Sequence, residues 1–243
     1  MTGSELKFLG IVFMALDHIG VVLIERGILK SSTPALMRQI VKTASGKNWW
    51  YADCVLRYIG RLAFPIFLFF LVEGFMHTRH KKDYGKRLLF WAVFSEIPFD
   101  LAIFGTWFYP DYQNILFTLF FAYVTLCAVQ AFRRYFWLQV FCTVLGCFAA
   151  WLFKVDYGAA GILIAVLLYW FRGSTLQLEV GAAACAVESI NHFGFSALAF
   201  ILLSFYRGEK GMWPGKYFFY LFYPAHLFFL FLLYSLLVYG GML

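Results

Sequence analysis

Long apolar runs separated by short polar joints fill this chain. A helix that crosses a bilayer needs about 20 apolar residues. On that measure the sequence divides into spans at about 6–28, 58–79, 84–105, 114–132, 136–153, 158–172, 175–190, 193–206 and 217–240. The spans between 158 and 206 are short, as tilted, broken or re-entrant helices are. The pattern predicts an all-α, polytopic membrane bundle of about nine helices, with eight or ten also compatible, in one domain covering residues 1–243. No internal repeat is evident, which weighs against an inverted-repeat transporter.

Charge in the joints sets the orientation. Arg79, His80, Lys81 and Lys82 follow the second span, with Lys86 and Arg87 just beyond. If the spans alternate, Arg133, Arg134, Arg172, Arg207 and Lys210 fall on the same side. The opposite joints, around Asp111 and Asp156, carry no excess of positive charge. The positive-inside rule then predicts a cytoplasmic N-terminus and an outward C-terminus. Residues 30–57 depart from the rule, because Lys30, Arg38, Lys42, Lys47 and Arg57 would lie outside. The spacing of Leu36, Met37, Ile40 and Val41 predicts an amphipathic interfacial helix there. Trp49, Trp50 and Tyr51 read as its aromatic anchor.

Composition agrees: 63% of residues are hydrophobic and 14% charged, against about 45–50% and about 25% in soluble domains. The net charge of +7 is accounted for by the joints, so a nucleic-acid partner is not expected. The five cysteines are odd in number and form no CxxC pair, so neither a disulfide framework nor a metal site is expected. No basic region followed by a small-residue cleavage site opens the chain, so the first span should be retained.

Ionisable residues inside the spans carry the chemistry. Asp17 and His18 sit mid-span, where a carboxylate costs about 2.5–3.5 kcal/mol on insertion scales. They diverge by about 100° on a helix, so either Asp17 orients a histidine elsewhere, or His18 acts while Asp17 pairs with Arg61. In the second span Arg57 and Arg61 share one i, i+4 face, and Glu73 and His77 another, with Pro65 able to kink the helix between them. Arg57 and Arg79 read as snorkelling side chains, and a buried ion pair is an equal reading for Arg61 and Glu73. Glu96 is the deeper carboxylate of the third span. Asn114 opens the fourth, where hydrogen bonding to a neighbouring helix is the plainer role. Tyr217, Tyr220 and Tyr223 precede His226; the phenols suit either a ligand or an aromatic belt, while His226 lies too deep for the belt. Asp156 reads as a helix N-cap.

The ordered set LDHIG, GRLAFPIFLFFLVEGFMHTR, YGKRLLFWAVFSEIPFDL, NILFTL, DYGAAGIL and FYPAHL resembles the TraX family of pilin acetylation proteins over about residues 10–230. The resemblance implies a multi-pass acyltransferase of the bacterial inner membrane, with acetyl-CoA as donor and a pilin N-terminus or another cell-surface peptide or glycan as acceptor. It is similar also to the wider group of membrane acyltransferases that use a buried histidine, which favours His18. In that reading Arg79, Lys82 and Arg87 attract the donor's phosphates, and His18 or His226 takes the acceptor's proton. Asp17 orients that base, and Arg61 or a tyrosine such as Tyr223 polarises the thioester. A proton- or solute-coupled transporter is the competing expectation, and a scaffold whose buried charges only pair helices is the third.

Overall fold

The computed structural model describes residues 1–30, 39–211 and 215–240. Among them the chain is all helical, apart from an isolated bridge between Gln113 and Val155. The elements are α1 (Gly3–Ile19), which runs on into a π-helical segment (Gly20–Ile28), α2 (Ala44–Gly60), α3 (Ala63–His77), α4 (Lys81–Ile103), α5 (Ile115–Ala131), α6 (Phe136–Leu152), α7 (Gly158–Trp170) and α8 (Gln177–Glu188). Two short 3₁₀ turns, Ile190–His192 and Phe195–Leu198, lead into α9 (Ala199–Ser204), and α10 (Lys216–Tyr239) closes the bundle. The interfacial helix expected at 36–41 falls largely outside the described residues.

Local chemistry sets several boundaries. Thr2 and Glu5 form a reciprocal capping box at the start of α1, so two otherwise unpaired donors are satisfied. The Asn114 side chain accepts the Leu116 amide at 2.9 Å and starts α5. At 61–62 the helix breaks, with Pro65 in the first turn of α3, where its missing N–H costs least. Arg26 donates to the Leu101 and Ala102 carbonyls, both at 2.7 Å, placing a cation at the C-terminus of α4.

The second span therefore begins earlier than hydropathy predicts. Lys47, Asp53 and Arg57 lower the apolarity of α2; Lys47 is exposed, but Asp53 is buried and Arg57 pairs with Asp17 of α1 and with Glu25 of the π-helical segment. The approach is close at Gly60, where an added Cβ would run into the Asp17 side chain. α3 is apolar on every side and lies at the centre, with most of its residues from Ala63 to Phe75 buried. It packs on α1, α5, α7 and α9, while α10 lies along α4 and α1.

Connections alternate between two ends. One end gathers the N-terminus and the joints at 78–80, 132–135, 171–176 and 205–211. It holds Arg79, Arg133, Arg134, Arg172, Arg207 and Lys210, and is called the basic end below. Three helices among the described residues are long and apolar enough to cross a membrane: Gly3–Ile28, Ala44–His77 and Tyr217–Val238. Shorter apolar helices include Ile115–Ala131, Phe136–Leu152 and Gly158–Trp170. α4 has the length, but its charged residues, Glu96 and Asp100 among them, keep it out of that group. Phe141, Val144, Phe148 and Trp151 of α6 present an exposed apolar stripe, the surface that lipid covers.

Candidate active site

A cavity of about 320 Å³ runs along one face of α1 from Ser4 and Lys7 to Met14 and His18. These positions share a helical stripe about 21 Å long from first to last. Its basic end is lined by Lys7, Lys210, Thr78, Tyr84 and Arg87. An aromatic neck follows, built from Phe67, Phe70, Phe219 and Tyr220. The far end is polar: Asp17, His18, Asp156, Tyr157 and Tyr223 reach it, among Phe64, Ile115 and Leu116. The volume lies at the lower end of the range for small-molecule sites, about 300–1,000 Å³.

His18 meets His226 across this end, with His18 Nδ1 at 2.9 Å from His226 Nε2. The hydrogen-bond pattern assigns the protons. His226 Nδ1–H donates to the Phe222 carbonyl at 2.8 Å. A neutral His226 then has only a lone pair at Nε2, so His18 Nδ1 must be the donor. That leaves His18 Nε2 unprotonated, and His18 lines the cavity while His226 stands behind it. Tyr223 packs near both rings, with centroids 6.0 and 5.7 Å away. Its side chain lines the cavity, where a phenol can donate a hydrogen bond as well as accept one.

Asp17 is held away from His18. Arg57 Nη1 donates to Asp17 Oδ2 at 2.6 Å, and Arg57 Nε reaches Glu25 at 3.2 Å. The expected partner, Arg61, instead reaches His192 Nε2 at 3.4 Å. Asp17 Oδ1, Arg61 Nε and Glu188 Oε2 are buried with no hydrogen-bond partner, three open positions in the polar shell around the cavity floor. Asp156 does not cap α7. Tyr112 donates to its carboxylate, which lines the cavity. Burial pushes the Asp156 carboxyl up to about 6, against the opposing pull of the Tyr112 bond.

Other sequence candidates lie outside the cavity. Glu73 accepts from Arg172 Nε at 2.8 Å, and exposed His77 donates from Nδ1 to the Glu73 carbonyl at 2.8 Å. Arg79 is exposed at the basic end and lines nothing. Asn114 donates to Glu96 and to the Ala92 carbonyl, tying α4 to α5. Of the expected ligand-binding residues, Arg87 and Tyr223 line the cavity. Sequence reasoning missed Lys7, Lys210, Tyr157 and Tyr84. A signal existed for Lys7, which stands eleven residues before His18 and so on the same helical face. Among the described residues no group of three or more His, Cys, Asp or Glu side chains is placed to hold a metal ion.

The fold and site define an apolar-surfaced helical membrane protein with a largely apolar cavity whose far end is polar and is lined by His18, with His226 behind it. A family model described as TraX protein matches residues 2–234, and the chain belongs to the TraX family. It is also 28% identical, over 92% of its length and 91% of the relative's, to a "Probable fimbrial assembly protein FimC, serogroup H1" of Dichelobacter nodosus. No solved structure matches.

Proposed function

We propose that this protein is a membrane-embedded acyltransferase that moves an acetyl group from cytoplasmic acetyl-CoA to a pilin N-terminus or another cell-surface acceptor. The observation that carries the reading is the free His18 Nε2 at the floor of a cavity that opens at the basic end. A transporter reading uses the same buried groups; the acyltransferase reading is preferred because His18 lines the cavity with an unprotonated nitrogen. Family membership and the fimbrial relative support the choice of acceptor class.

In the proposed reaction the acetyl thioester reaches the floor through the aromatic neck, with the bundle crossing the inner membrane about nine times. His18 Nε2 removes a proton as the acceptor's amine or hydroxyl attacks the thioester carbonyl. Tyr223 donates toward the carbonyl oxygen as negative charge develops there. The C–S bond then breaks, the thiolate takes the proton from His18, and free CoA leaves by the basic end. His226 is a positioning residue in this scheme: it touches His18, not the substrate, and fixes which nitrogen is free. Asp17, held away from His18 by Arg57, takes no direct part in this scheme.

The test is acetyl transfer in membranes. Membranes from cells producing the protein, supplied with radiolabelled acetyl-CoA, should label a macromolecular acceptor. His18→Ala should abolish that labelling at equal protein level. Equal labelling by His18→Ala, or none above empty-vector membranes with folded wild type, contradicts the reading.

A further inference from the structure

Three cations converge on the basic end of the cavity from three separate elements. Lys7 comes from α1, Arg87 from α4 and Lys210 from the segment before α10, and all three line the cavity. None of them makes an ion pair among the described residues. The nearby carboxylates are otherwise placed: Glu5 Oε2 accepts the Thr2 amide in the α1 capping box, and Glu209 is exposed. Lys7 and Arg87 are half-buried and Lys210 is exposed, so like charges gather at a cavity entrance with no carboxylate to offset them, which makes it a place for an anion.

Backbone hydrogen bonds and ring contacts fix where these cations sit. Ser4 N and Ser4 Oγ both donate to the Lys210 carbonyl, at 3.0 and 2.9 Å. Gly3 N donates to the Glu209 carbonyl at 2.7 Å, so the 209–210 strap is pinned onto the start of α1. Lys7 Nζ lies 4.8 Å from the Phe70 ring centroid and 5.8 Å from that of Phe219. The Arg87 guanidinium lies 5.1 and 5.8 Å from the Tyr84 and Tyr220 centroids. Aromatic faces attract a cation but leave its charge unneutralised. Arg87 Nε is buried and has no hydrogen-bond partner, so this guanidinium has a donor to spare.

We infer that Lys7, Arg87 and Lys210 form an anion site for the phosphate groups of an organic phosphate whose long uncharged arm occupies the neck and reaches His18. Length selects the ligand. Lys7 and His18 are eleven residues apart on α1, about 16 Å of helix rise, so a free phosphate filling the entrance would leave the floor untouched. Phosphate chemistry with such an arm comes either from a coenzyme A-type nucleotide or from a phospholipid whose headgroup lies at the entrance. The nucleotide source rests on the acyltransferase reading above; the anion site itself does not.

The experiment uses full-length protein in phosphatidylcholine nanodiscs. Binding of CoA, 3′-dephospho-CoA, pantetheine and inorganic phosphate is measured by calorimetry, and thermal protection by added phosphatidylglycerol is measured alongside. Lys7→Gln, Arg87→Gln and Lys210→Gln should each weaken CoA binding about tenfold or more, as loss of a charge-assisted contact does. Binding of pantetheine, which has no phosphate, should be unchanged by them. Arg134→Gln, an exposed charge at the same end, controls for general electrostatics and should change nothing. Unaltered chromatography and melting show that the variants fold. Protection by phosphatidylglycerol that the same three substitutions remove, with no CoA binding, assigns the site to a lipid headgroup and overturns the acyl-CoA donor. CoA affinity unchanged in all three folded variants, with no lipid protection, overturns the anion site.

Discussion

His18 and His226 are 208 positions apart in the chain, yet each makes sense only beside the other. If His226 acts by accepting from His18 Nδ1, a side chain that places an acceptor at the Nε2 position should restore function. His226→Gln does that and His226→Ala does not. The prediction is a deep loss of kcat in His226→Ala, partial recovery in His226→Gln, and little change in KM for acetyl-CoA in either. Equal kcat in both variants would show that His226 only fills space. Asp156 gives a stability prediction. Its carboxyl holds a proton to about pH 6 in the folded protein, against an ordinary value of 3.8. Between those values the folded state binds more protons, so this group's contribution to stability falls as pH rises. The melting temperature of wild type should decline relative to Asp156→Asn between pH 4 and 6; a relative rise contradicts the assignment. At this scale the sequence showed Asp17, His18 and His226 because ionisable groups in apolar spans stand out. It did not show which of two arginines one turn apart would take Asp17, since that depends on the rotation of α2 against α1. Lys7 and Lys210 were hidden because a lysine near a helix start or in a basic loop looks like any other solvated charge until the fold brings the two beside one cavity.

Helices follow the hydrophobic runs closely, because an apolar stretch in this setting can satisfy its backbone only by helix formation. What hydropathy could not reveal was α2. Its Arg57 pairs with Asp17 and Glu25 of the neighbouring helix, so it reads as an outside loop while packing as a helix. Nor could it reveal the π-helical turn that follows His18, a local widening of the sort found at functional sites. The α1–α2 contact depends on Gly60. Gly60→Ala should push a methyl into Asp17 and lower stability by about 1–3 kcal/mol, measured by thermal unfolding in detergent, with activity falling alongside. Unchanged melting would mean that the helices separate freely at that point. The α4–α5 contact depends on Asn114, which caps one helix and bonds Glu96 and Ala92 of the other. Asn114→Ala should cost about 1–3 kcal/mol and reduce activity only through folding, so that the folded fraction keeps its kcat. A specific loss of kcat in fully folded protein would instead draw Asn114 into the site.

The whole molecule has a polarity that its parts foreshadow: cations at the entrance, carboxylates around the floor, and an apolar exterior between them. Alternation of charge along the joints was legible in the sequence, and it predicts that the basic end faces the cytoplasm. A single cysteine placed at Arg134 in a cysteine-free background should escape an impermeant maleimide in intact spheroplasts, while one at Trp107, exposed at the opposite end, should react. The reverse pattern would invert the bundle and strand the entrance away from a cytoplasmic donor. The cavity itself was not legible, because it is framed by the N-terminal helix, α3 and α10, whose meeting is decided by packing across the whole chain. The central claim, that His18 at the floor of this cavity transfers an acyl group from a thioester, has a direct measurement. It is the release of free thiol from acetyl-CoA by purified protein, wild type beside His18→Ala, with acetyl-CoA binding measured on the same samples. The account predicts saturable binding in both and thiol release in wild type alone. Folded wild-type protein that neither binds acetyl-CoA nor releases thiol, or a His18→Ala variant that releases it at the wild-type rate, would contradict it.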